Sequence, residues 1–152
     1  MHRNSQFNSL VPELLIRDFA RSQAFYGEQL GFRRLYGRDN PSFAYLEIDG
    51  AQLMIEQLDD NSWLTADMAM PFGRGINLQI EVRDIDGPVE RLRSAGWPLF
   101  KQPEDVWYWA DDRLFGQRQF LVQDPDGYLL RFCRDLGIRA AADIPSAGRI
   151  VT

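Results

Sequence analysis

The chain has very little of what most chemistry at neutral pH relies on: its 152 residues include one histidine, His2, and one cysteine, Cys133. A single cysteine excludes an internal disulfide, and its place inside an apolar run reads as a buried, inert thiol rather than a nucleophile. There is one lysine, Lys101, and the net charge is −5. That balance cannot build the clustered cationic surface that holds a phosphate backbone, so no nucleic-acid partner is expected. Long hydrophobic runs are missing as well, none approaching the roughly 18 residues of a membrane span. The opening segment, Met1 to Gln6, leads into no signal-peptide core, which gives the expectation of a cytoplasmic protein with no membrane partner.

Hydrophobic residues at 45% and charged ones at 26% are those of an ordinary globule, and the length is that of a single domain spanning 1–152. Acidic residues recur at Glu56, Asp59, Asp60, Asp67, Glu104, Asp105, Asp111 and Asp112. They read either as a solvated surface or as a field that attracts a cationic ligand.

The most legible stretch runs from Gln119 to Arg134. Two apolar runs, Phe120 to Val122 and Tyr128 to Cys133, flank the turn Asp124-Pro125-Asp126-Gly127. Proline presets φ for the first turn position and glycine accepts the positive φ that ends it, so the stretch reads as a β-hairpin.

Residues 1–9 are polar and expected to fray. Leu10 to Arg17 reads as a strand entered through Pro12. Asp18 is a good helix N-cap, Phe19, Tyr26 and Leu30 share one helical face, and Gly31 is the left-handed stop, which predicts a helix over 18–30. Extended segments follow at 32–36, 42–48 and 52–58, separated by Asp39-Asn40-Pro41 and Asp49-Gly50. The first module, 10–58, is thus βαβββ, and 59–75 reads as a linker.

The pattern then repeats. Ile76 to Val82 alternates with period two, Asp86 is placed to cap a helix with Val89 and Leu92 inward, and Gly96 with Pro98 ends it. Strands are predicted at 99–102, 120–123 and 128–134, making 76–134 a second βαβββ module and 135–152 a C-terminal tail. This internal repeat of about 70 residues sets the fold class as α+β. Neither half buries enough apolar area to stand alone. Two together predict a curved mixed sheet with a concave cleft suited to a ligand.

The duplicated unit, with Phe25-Tyr26 in the first helix, Leu30-Gly31-Phe32 at its end and Asp-Pro-Asp-Gly before the last strand, resembles the vicinal oxygen chelate superfamily over residues 10–134. That superfamily includes glyoxalase I, extradiol dioxygenases, fosfomycin resistance enzymes and bleomycin resistance proteins. In its metal enzymes, four inward positions on the first and last strands of each repeat hold one ion. The resemblance puts these at Val11, Glu56, Asn77 and Arg131. Only Glu56 is a plausible ligand, and an arginine would repel a divalent ion, so no metal and no cofactor are expected. Glu56 and Arg131 are better suited to pair with each other or with a ligand.

Pro12 to Phe19, Leu53-Met54-Ile55-Glu56 and the run from Gly116 to Arg131 are most similar to the bleomycin resistance proteins. This implies a homodimer that does no chemistry and sequesters a cationic, aromatic glycopeptide antibiotic. The ligand-binding set so implied is Glu56, Trp63, Asn77, Trp107, Trp109, Phe115 and Arg131. Phe115 stands where that family often has tryptophan. Trp107 and Trp109 alternatively cover the core from an irregular strand. Arg113, Arg118 and Arg131 add positive charge that a cationic drug would not favour. Two alternatives stay open: a superfamily enzyme that recruits a metal through Glu56 with Gln79 or Glu47, and a binder of another small molecule.

Overall fold

In a computed structural model of the chain, residues 6–146 and 148–151 are described. The fold is α+β, with two mixed sheets of four and five strands and few helices. The chain divides into two compact units, one comprising residues up to Arg74 together with Asp124–Tyr128, the other Gly75–Gln123 and Leu129 onwards. His2 lies outside the described residues. No helix among those described is long and apolar enough to cross a membrane.

The first unit contains β1 (Glu13–Ile16), α1 (Phe19–Ala24), β2 (Arg33–Asp39), β3 (Ser42–Ile48) and β4 (Ala51–Gln57), in sheet order β1-β4-β3-β2. β1 is shorter than the predicted strand, and Leu10 is exposed ahead of it. Asp18 caps α1 as expected, accepting from the Arg21 N–H at 3.0 Å. The helix does not stay α-helical to Leu30. It widens into a π-helical turn at Phe25–Gln29, in which the Leu30 N–H donates to the Phe25 carbonyl at 3.1 Å. Gly31, at φ 90°, then stops it.

Period-two alternation decides the core of this unit. Leu14, Ile16, Leu53 and Ile55 are buried, while Glu13, Leu15, Met54 and Glu56 alternate with them on the opposite face. The predicted fraying does not extend to residues 6–8. Asn8 bonds the Gln52 side chain and the Gly50 carbonyl, each at 2.8 Å, and Phe7 packs edge-on against Tyr36 and Tyr45.

The turn Asp124–Tyr128 is part of the first unit and carries two buried carboxylates, Asp124 at 3% and Asp126 at 1% exposure. Asp124 Oδ1 accepts from the Asp126 and Tyr128 N–H groups, both at 2.9 Å, and Oδ2 accepts from the Tyr26 hydroxyl at 2.8 Å. Asp126 Oδ1 accepts from Arg17 Nε at 2.9 Å and Arg17 N–H at 3.1 Å, and Oδ2 accepts from the Ser22 hydroxyl at 3.3 Å. Gly127 is needed twice over: its φ is 98° and a Cβ there would sit 2.4 Å from Pro71 Cβ.

The second unit contains β5 (Asn77–Glu81), α2 (Asp86–Ser94), β6 (Lys101–Ala110), β7 (Arg113–Gln123), β8 (Leu129–Arg139) and β9 (Arg149–Val151), in sheet order β5-β8-β7-β6-β9. Asp86 is the first helical residue rather than the cap. Asp84 serves the helix start, its Oδ1 accepting from the Gly87 N–H at 3.1 Å. Val89 and Leu92 are buried as predicted, and so are Ile80, Leu130, Phe132, Phe120 and Val122 of the sheet, with the Phe120 and Phe132 rings stacked at 5.2 Å.

β6, β7 and β8 run well beyond the predicted strands because cross-strand register extends them through polar sequence. β7 pairs with β6 as far as Ala110↔Arg113 and with β8 as far as Leu114↔Arg139. The expected tail from 135 is therefore strand to Arg139, and after a 3₁₀ turn at Ala141–Asp143 the chain returns as β9, parallel to β6. Arg149 of β9 bonds Glu104 of β6 at 3.0 Å.

Burial pushes the Asp124 carboxyl up from its ordinary 3.8 to about 6, against the pull of the Tyr26 and backbone donors. A folded-state value above the unfolded one means that this group's stabilisation is complete below the unfolded value and is lost as pH rises through the folded value. Urea unfolding between pH 4 and 7 should therefore show a loss of about 2 kcal/mol from this group as pH rises, which Asp124→Asn abolishes. Tyr26→Phe should cost about 1–3 kcal/mol by leaving a buried acceptor unpaired.

Candidate functional site

The outward face of the first sheet carries a groove of about 490 Å³. The parallel register sets Glu13 beside Met54 and Leu15 beside Glu56, so two carboxylates alternate with two apolar side chains. β3 places Phe43 across from Glu56, and β2 places Arg38 across from Phe43. The Arg38 guanidinium lies 4.1 Å over the Phe43 ring, which holds it by a cation–π contact. The rim comes from the segment after β4. There the Asp59 carboxylate accepts from the Asn61 N–H at 2.8 Å, and Ser62 Oγ accepts from the Asp59 N–H at 3.0 Å. That turn presents Asn61, Ser62 and Trp63 to the groove, and Trp63 is 93% exposed.

The groove is electrostatically unfinished. Partial burial, and then the neighbouring Glu56 charge, push the Glu13 carboxyl above its ordinary value, with Arg38 opposing. Among the described residues neither Glu13 nor Glu56 has an ion-pair partner. A cation with apolar or aromatic surface would meet charge at Glu13 and Glu56, contact at Leu15 and Met54 and a free indole face at Trp63, with the Arg38 guanidinium the one opposing charge in the lining.

The seven residues expected to bind ligand are distributed unevenly. Glu56 and Trp63 come together in the groove. Glu47, an alternative metal ligand, is paired with Arg33 at 2.9 Å. Val11 precedes β1, and the residue in register with Glu56 is Leu15. In the second unit, Asn77 is exposed on β5 opposite Leu129, and Arg131 sits opposite Gln79.

Trp107, expected as a stacking face, is instead packed inside the second unit at 2% exposure. Arg139 lies 5.2 Å over its ring, and a Cβ on Gly116 would stand 2.5 Å from it, so the glycine makes room for the indole. Trp109 and Phe115 are 45% and 42% exposed, but their cross-strand partners are Leu114 and Tyr108, which assigns them to opposite faces of the hairpin. The flanking charges are largely spent on one another: Arg118 bonds Asp105 at 3.1 Å, and Arg113 lies 3.9 Å from Asp112.

Sequence reasoning missed Glu13, Leu15, Met54 and Arg38 as groove residues. The alternation Glu13-Leu14-Leu15-Ile16 held the signal for the first two, since every second residue of a half-buried strand faces away from the core. Nothing in the local sequence marks Arg38, which a neighbouring strand delivers.

The donor set does not suit a divalent metal. In the first unit the polar groups are two glutamates with a guanidinium nearby. In the second they are Asn77, Gln79 and Arg131, two neutral amides and a cation, with Glu81 the one carboxylate on that face of β5. No three His, Cys, Asp or Glu side chains gather among the described residues. Cys133 is buried, and burial pushes its thiol up, away from thiolate chemistry.

Bleomycin resistance proteins of Geobacillus stearothermophilus and Staphylococcus aureus are 25% identical to the chain over 134 residues, covering 83% of it and 96% of their own length. A solved structure described as a conserved domain protein is 26% identical with a TM-score of 0.59, covering 84% of this chain and 99% of that one. TioX from Micromonospora sp. ML1 shares the fold at 23% identity and a TM-score of 0.61, over 84% of this chain and 95% of its own. The family described as the Glyoxalase/Bleomycin resistance protein/Dioxygenase superfamily matches residues 6–132, and the chain belongs to it.

Proposed function

We propose that the chain is a binding protein of the bleomycin-resistance type, which sequesters a cationic, aromatic small molecule stoichiometrically and works without metal or chemistry. The observation that carries this reading is the pair of glutamates, Glu13 and Glu56, left without ion-pair partners in a groove edged by an exposed tryptophan. Two carboxylates held close are costly until a cation arrives, and its arrival converts their repulsion into binding free energy. Trp63 contributes nothing to the core, so its exposed ring is available for stacking. The distant similarity to bleomycin resistance proteins supports the same reading, and with it a homodimer acting as one functional domain.

Isothermal titration with bleomycin should give binding near one per subunit that weakens as salt rises. Absence of heat and of tryptophan quenching at high micromolar drug would sink the assignment. Trp63→Ala should cost about 1–3 kcal/mol of binding while leaving the melting temperature unchanged. Glu56→Gln should lower the Glu13 carboxyl toward its ordinary value by removing a like charge, as followed by carboxyl NMR titration, and should weaken drug binding. A metal that survives dialysis in stoichiometric amount would overturn the metal-free reading.

A further inference from the structure

We infer that the second unit carries a separate subsite for an oxyanion, the carboxylate or phosphonate group of an organic ligand, built from Arg131 and Gln79. The parallel register of β5 and β8 sets these two side by side, on the opposite side of the strands from Ile80, Leu130 and Phe132. Arg131 Nη2 donates to Gln79 Oε1. Because a guanidinium only donates, the amide oxygen must be the atom turned toward it, and Gln79 is left with its NH₂ group unused.

No acceptor completes the arrangement. Arg131 Nε is buried without a hydrogen-bond partner, and among the described residues Arg131 forms no ion pair. Charges on β6, β7 and β9 are paired with one another. Glu104 takes Lys101 at 3.1 Å and Arg149 at 3.0 Å, and Asp105 takes Arg118. Gln119 is also used, accepting from the Tyr108 hydroxyl at 3.1 Å and donating to Glu104 at 3.5 Å. Glu81 stands opposite Cys133, two residues along from Gln79, and makes no bond to Arg131.

The result is a corner of donors: the free guanidinium edge and the Gln79 amide, with one N–H already desolvated. An oxyanion with two oxygens on one centre, carboxylate or phosphonate, is the group that matches the terminal edge of a guanidinium with two parallel hydrogen bonds. This goes beyond capture of a cation in the first unit, and it is tested with different probes and residues, so either reading can fail without the other.

The test is an NMR titration of the full-length ¹⁵N-labelled protein with benzoate, with phenylphosphonate and with neutral benzyl alcohol. The Arg131 Nε–H and Gln79 side-chain amide signals are followed. Saturable shifts with at least one anion and none with the alcohol are expected, and the tighter anion identifies the ligand's acidic group. Gln79→Glu supplies an internal carboxylate to Arg131 and should weaken the anion at least tenfold without lowering the melting temperature. Arg131→Lys, which keeps the charge and loses the fork, should also weaken it. No saturation by either anion at about 50 mM, where a millimolar complex would be nearly full, overturns the inference. So do shifts that persist in Gln79→Glu or appear equally with benzyl alcohol.

Discussion

Two carboxylates with almost no access to water, Asp124 and Asp126, constrain the first unit more than any other feature. A buried carboxylate is tolerated only when its oxygens are filled, and here each oxygen has a donor: Tyr26 and two backbone N–H groups for Asp124, Arg17 and Ser22 for Asp126. Those donors come from the end of β1, from α1 and from the π-helical turn. The turn therefore specifies how the helix approaches the strand that leads into it. Tyr26 is fully buried, and its hydroxyl shows the strain of the arrangement: burial, then the Asp124 charge, push it well above its ordinary value.

The sheets then divide labour by face. Alternation commits one side of each strand to the core, which leaves the other side free to carry charge. In the first unit the free side collects Glu13 and Glu56 beside Leu15 and Met54. In the second it collects Gln79, Arg131 and Gln119, with Glu81 and Glu104 on the same face.

The repeat, the α+β class, the helix cap at Asp18, the stop at Gly31 and the Asp-Pro-Asp-Gly turn were all legible, because each depends on local backbone chemistry. Strand ends were less so. β6, β7 and β8 extend through Asp105, Gln117, Arg118 and Asp135, residues with no apolar run to announce a strand, because inter-strand hydrogen bonds carry the pairing where hydrophobicity does not. Trp107 shows the same limit at the level of a single side chain. Its neighbours made it look like part of a loop cluster, while its burial is decided by Gly116 and Gly148, whose missing side chains leave space for the indole.

By itself the sequence determined the family, the duplicated architecture and the poverty of metal ligands, since these follow from motif order and from which side chains exist at all. Tertiary structure alone decided which of those side chains meet. Glu13 joins Glu56 only through the β1–β4 register, Arg38 arrives from another strand, and Gln79 turns its oxygen to Arg131 only because β5 and β8 run parallel. Register is a property of pairing between distant segments, and no stretch of chain read alone contains it.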